Sequence, residues 1–159
     1  MSANLPAADA LRRSFLAVAR ADDVAPGPVA VRLLDVPVVL FRDAAGRVGA
    51  LADRCPHRDM PLSSGSVGFF GELVCGYHGW AYEPDGTCVR IPLSHATMRP
   101  AQACVRSYAV REAHGLVWVA LEPPEAEPVG LRPLDADRPD AELLAARRGE
   151  IERAAGVDR

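Results

Sequence analysis

Two short stretches decide the reading: Cys55-Pro56-His57-Arg58 and Cys75-Gly76-Tyr77-His78-Gly79-Trp80, with 17 residues between His57 and Cys75. Each brings one thiol and one imidazole, on segments rich in Pro, Ser and Gly that read as loops. Thiolate and imidazole together point to a metal site. Two Cys and two His satisfy a [2Fe–2S] centre that takes two Cys on one iron and two His on the other. They also satisfy one tetrahedral Zn²⁺, although zinc knuckles space their ligands more widely and Cys-x-His is unusual among them. One Cys and one His on each loop would let two loops grip one cluster. Small residues at Gly65, Gly76 and Gly79 would let backbone N–H groups approach it.

Outward from these loops the pattern is strand and turn. Residues 29–34 and 36–42 are apolar and partly β-branched, and Asp43-Ala44-Ala45-Gly46 turns the chain into residues 47–52, a hairpin. Trp80-Ala81-Tyr82 reads as a strand, Glu83-Pro84-Asp85-Gly86 as a turn, and residues 87–90 as the return. Residues 105–112 alternate, Ala113-His114-Gly115 turns, and residues 116–121 form a further strand. Residues 122–128 form a Pro/acidic linker. In residues 137–155, Leu143, Leu144, Arg147, Ile151 and Ala154 fall at helical spacing behind a start signal at Asp137-Arg138-Pro139-Asp140. The expected fold class is all-β, an antiparallel sandwich with a small two-loop lobe and a C-terminal helix. The expected division is an N-terminal extension over 1–14, a β domain over 15–123, and a linker with helical tail over 124–159.

The 159 residues suffice for one domain, and 49% hydrophobic content allows a packed core. Net charge is −3 with no basic block, which argues against nucleic-acid binding. No run reaches the roughly 18 apolar residues of a membrane span. Four Cys could form two disulfides in a secreted chain. Arg12-Arg13 followed by Ser14-Phe15-Leu16 has the look of a twin-arginine export signal. However, Arg20, Asp22, Asp23, Pro26 and Pro28 interrupt the apolar run that such a signal needs. The expectation is therefore a cytoplasmic protein, where paired Cys and His read as metal ligands before disulfides.

The string CPHR…PLSSG…LVCGYHGW…GTCVRIP resembles the Rieske domain at the N-terminus of ring-hydroxylating and O-demethylating oxygenase large subunits, over about residues 15–123. The resemblance implies one [2Fe–2S] cluster, with Cys55 and Cys75 on one iron, His57 and His78 on the other, and the His edges facing partners. Respiratory Rieske proteins carry an extra bridged Cys in each loop, at positions held here by Met60 and Tyr77, and a Ser at the position of Trp80. Losing that serine hydroxyl leaves the reduced cluster less stabilised. The resemblance thus implies the low end of the Rieske range, roughly −150 mV. Tyr82 is a candidate donor to a Cys sulfur, or else an aromatic of the sheet core. Arg58 is a candidate docking residue, with Trp80 beside it at the rim, or else a solvated loop arginine. Cys88 and Cys104 read as small core hydrophobes, His95 and His114 as loop histidines, and Asp59 as a turn carboxylate.

In those oxygenases the Rieske domain feeds a separate catalytic domain whose mononuclear iron is held by two His and a carboxylate. With four His in the chain, His95 and His114 remain after the cluster is made, and they do not stand in that arrangement. The expectation is an electron carrier without its own oxygenase site. Its partners would be a flavin- and NAD(P)H-dependent reductase and a separate non-haem iron oxygenase or other acceptor chain. Two other classes stay open: a truncated remnant of an oxygenase large subunit, and a cluster-based redox-sensing interaction module.

Overall fold

Apolar runs bounded by turn residues condense into three antiparallel sheets in the computed structural model, which describes residues 5–92 and 102–124. The chain forms two compact units, residues 22–108 and a discontinuous unit from the two flanks. Among the described residues no helix is long and apolar enough to cross a membrane.

The contiguous unit begins with β2 (Val29–Leu33), β3 (Val36–Arg42) and β4 (Val48–Ala52), in the order β2-β3-β4. Strand β3 is central, so its Val38-Val39-Leu40-Phe41 run is buried without alternation. Leu34 and Asp35 join β2 to β3 with φ of 48° and 65°, the left-handed pair of a two-residue hairpin turn. The Asp43 carboxylate closes the β3–β4 turn by accepting from the Ala45 and Arg47 N–H groups, each at 2.9 Å. Residues 106–108 run beside β4, with Ala52 N–H to Arg106 O at 2.8 Å and Tyr108 N–H to Ala50 O at 2.9 Å.

The same unit carries a meander of β5 (Ser66–Val67), β6 (Leu73–Val74), β7 (Ala81–Tyr82) and β8 (Cys88–Arg90). Strands this short are too weak to stand alone. Val39, Phe41 and Leu51 from the larger sheet pack in one core with Leu62, Leu73, Trp80, Tyr82 and Cys88 of this lobe. Gly65 leads into β5 where a Cβ would run into the Val74 carbonyl oxygen of β6. The need for glycine there comes from the meeting of the two loops.

The flanking unit holds α1 (Leu5–Arg12) and a sheet of β1 (Leu16–Arg20), β9 (Ala109–Ala113) and β10 (Leu116–Ala120), ordered β1-β10-β9. Every residue of β10 is buried, and Phe15, Ala17, Leu116, Trp118 and Ala120 form this unit's own core.

The mostly antiparallel β architecture agrees with the reading from sequence, and three details differ. The single strand expected over 105–112 is divided: residues 106–108 pair with β4, and β9 starts at Ala109 in the other unit. Cys104 is exposed, because Ala103 and Val105 on either side of it point inward and side chains alternate in extended chain. Helix α1 stands where only an extension was expected. The helix expected over 137–155 and His95 lie outside the described residues.

Gly65→Ala is expected to destabilise the chain by about 1–3 kcal/mol or more, because the added methyl meets backbone that cannot rotate away. Gly76→Ala, whose Cβ would sit 3.0 Å from Ser64 O, should cost less. Denaturant unfolding of both variants checks the order.

Candidate metal centre

The two Cys/His loops fold into the same turn. In the first, the Cys55 N–H donates to Met60 O at 2.8 Å, and the Asp59 N–H donates to Cys55 O at 2.8 Å. In the second, the Cys75 N–H donates to Trp80 O at 2.8 Å, and the Gly79 N–H donates to Cys75 O at 3.0 Å. The residue four places after each Cys is left-handed, Asp59 at φ 57° and Gly79 at φ 70°. Glycine takes that conformation without strain. Asp59 is tied to Arg54 by a 2.6 Å ion pair, and that guanidinium holds its carboxyl below the usual carboxylate range. Asp53 clamps the first loop across its base, accepting from the Ser63 N–H at 2.7 Å and the Ser63 hydroxyl at 2.6 Å.

These turns set the four side chains in two layers. Cys55 and Cys75 are 1% and 3% exposed and belong to the lobe's core. His57 and His78 are half-buried above them, with ring centroids 4.6 Å apart, edge to face. Burial pushes the Cys55 thiol up, the Tyr82 hydroxyl and the His57 backbone N–H act against that, and the neighbouring Cys75 adds to it. Among the described residues no three His, Cys, Asp or Glu side chains converge where a single metal ion could sit. A lone tetrahedral zinc needs such convergence. A two-iron group asks each metal to find two protein ligands, and two thiols layered against two imidazoles match that donor set.

Of the surrounding residues named from sequence, Tyr82 is wholly buried and its Oη lies 3.3 Å from Cys55 Sγ. Burial first, and then the Cys55 contact, push the phenol far above its ordinary pKa, so it keeps its proton. Tyr82 is therefore both a core aromatic and a sulfur donor. Arg58 is exposed beside His57. Trp80 is not at a rim: it is wholly buried, stacked face to face on His57 at 4.6 Å and 6°. Its large apolar ring closes the lobe's core, which a rim position would leave open. Its Nε1 is buried with no hydrogen-bond partner among the described residues. An orphaned N–H of this kind costs about 1–3 kcal/mol. Met60 and Tyr77 are exposed, and the Tyr77 ring lies 3.8 Å from that of His78. Cys88 is a core residue 3% exposed, and His114 sits in the β9–β10 turn at φ 53°. Sequence reading missed the equivalence of the two turns and the Asp53 clamp.

Comparison with known proteins agrees with this geometry. The family model for the Rieske [2Fe-2S] domain matches residues 14–109. The alpha subunit of phenoxybenzoate dioxygenase from Ectopseudomonas oleovorans is 42% identical over 125 residues, covering 78% of this chain and 30% of that protein. Protein TIC 55, chloroplastic, from Arabidopsis thaliana is 40% identical over 104 residues, covering 63% of this chain and 19% of that protein. The crystal structure of dicamba monooxygenase superposes with a TM-score of 0.68 at 36% identity, covering 77% of this chain and 38% of that one. The chain thus spans less than a third of the length of either curated relative. With the family model matching well over half of its residues, the chain belongs to the Rieske family, whose domain binds one [2Fe–2S] cluster.

Proposed function

We propose that this protein is a one-electron carrier in which Cys55 and Cys75 hold one iron of the cluster and His57 and His78 the other. The observation that carries the reading is the pair of matched turns, which set two buried thiols under two half-buried imidazoles 4.6 Å apart. The bound cluster supplies a site that takes up and gives back a single electron. The rest is the work of the chain. Burial of Cys55 and Cys75 keeps water from the sulfurs, while His57 and His78 reach the surface. Exposed Arg58, Met60 and Tyr77, the last against the His78 ring, would contribute to the docking face. Such redox encounters are small and transient, so no stable complex is needed.

A flavin- and NAD(P)H-dependent reductase would load the electron, and a non-haem iron oxygenase or another acceptor would take it. The relative described as a dioxygenase subunit alpha supports this setting. A cytoplasmic location is part of the proposal. His95 and His114 do not stand in the oxygenase arrangement of two His and a carboxylate, and the proposed acceptor is accordingly a separate site.

Tyr82 tunes the site. A thiolate can only accept, so once Cys55 is a ligand the phenol is the donor across their 3.3 Å contact. That hydrogen bond favours the more negative, reduced state.

This reading has direct experimental consequences. Protein purified without oxygen should contain iron and acid-labile sulfide in equal amounts and give a Rieske EPR signal on reduction. Alanine at Cys55, His57, Cys75 or His78 should abolish that signal, whereas alanine at Cys88 or Cys104 should keep it; stoichiometric zinc without sulfide would refute the assignment. In a redox titration the midpoint should lie near the low end of the family range, roughly −150 mV, and Tyr82→Phe should move it lower with the cluster retained. Mixed with a reductase and NAD(P)H the protein should cycle between oxidised and reduced forms. With NAD(P)H, oxygen and an aromatic substrate alone it should yield no hydroxylated product.

A further inference from the structure

Trp80 is wholly buried in the core of the lobe. Its carbonyl oxygen accepts from the Cys75 N–H at 2.8 Å, and its ring lies parallel to that of His57 at 4.6 Å. It is thereby fixed by backbone to one Cys and by ring contact to one His, on opposite loops. Yet its indole N–H is wholly buried and finds no acceptor among the described residues, the sulfurs of Cys55 and Cys75 included. The other tryptophan, Trp118, shows the ordinary arrangement, donating to Ala113 O at 3.2 Å. Protein interiors seldom leave a donor unpaired, and each exception asks what fills it.

We infer that the Trp80 indole N–H donates a hydrogen bond to a sulfide of the [2Fe–2S] cluster. The inference rests on the ligand assignment proposed above. The described residues, the two cysteine sulfurs among them, offer this N–H no acceptor, and the bound group brings sulfur acceptors into the same core. The sulfides are that group's acceptors closest in kind to the thiolates. Trp80 then does two separate things: its face holds the plane of the His57 ring, and its edge stabilises the reduced cluster. The low potential expected from loss of a serine hydroxyl at this position is correspondingly offset in part. The tryptophan supplies a donor of another kind, alongside Tyr82 on Cys55.

Pulsed EPR of the reduced holoprotein, with tryptophan ¹⁵N-labelled at the indole nitrogen, tests this directly. An indole ¹⁵N hyperfine coupling is expected, because a hydrogen bond to a spin-bearing sulfide carries spin density onto the donor. A buried water as the partner would give none. Trp80→Phe and Trp80→Leu add a second reading. Phenylalanine keeps a stacking face and removes the N–H, so both variants should shift the midpoint negative, with Phe moving as far as Leu. Trp80→Phe at the wild-type midpoint would show that Trp80 acts by packing alone and would overturn the inference. Should Trp80→Phe fail to hold its cluster, the labelled wild-type protein decides: coupling supports the inference, and its absence refutes it. A Rieske signal without indole coupling overturns this inference alone. Absence of any Rieske signal in the wild type overturns the ligand assignment and this inference with it.

Discussion

The reciprocal backbone bonds that close the two turns, from each Cys to the residues four and five places on, are the constraint on which the lobe depends. They spend both polar groups of Cys55 and of Cys75 locally, so those residues can sit in an apolar core without stranded backbone. With the backbone anchored, the thiols point inward and the imidazoles stay at the surface. The division of labour follows from that geometry. The sulfurs sit where the surroundings are dry, and the histidine edges sit where another protein can touch them.

Burying two thiols side by side has an electrostatic side as well. Burial and mutual repulsion both favour the protonated form at Cys55. Metal ligation must displace those protons, and the positive charge of the irons is what makes a buried thiolate pair tolerable. The Tyr82 hydroxyl and the His57 N–H assist by pointing partial positive charge at the Cys55 sulfur.

Much of this was legible because metal chemistry restricts residue types severely. Two thiols and two imidazoles at this spacing admit few readings, and the hairpins around them follow from Pro, Gly and Asp at turn positions. What escaped depends on three-dimensional neighbours. His57 stands two places after its Cys and His78 three, and this offset hides that the two turns are the same. Asp59 fills a glycine-like conformation because Arg54 is there to hold it. Leu34-Asp35 makes a left-handed turn without Gly or Asn, because the pairing of β2 with β3 imposes it. Cys104 was read as buried from residue type alone, whereas alternation with Ala103 and Val105 turns it outward. Whether a tryptophan lies at a rim or in a core cannot be told from its letter. Here stacking on His57 and the meeting of two loops decide it.

The discontinuous unit has a consequence for the order in which a ribosome delivers this chain. Strand β1 is made early, yet its hydrogen-bonding partner β10 starts almost a hundred residues later, at Leu116. All of residues 22–108, with both ligand loops, emerge in between and have their own core contacts within reach. The cysteine pocket can therefore take shape on the nascent chain while β1 still waits, its Leu16 and Ala17 side chains uncovered. The flanking sheet cannot close before β10 is made, and until then β1 is an open strand edge that neighbouring chains could pair with.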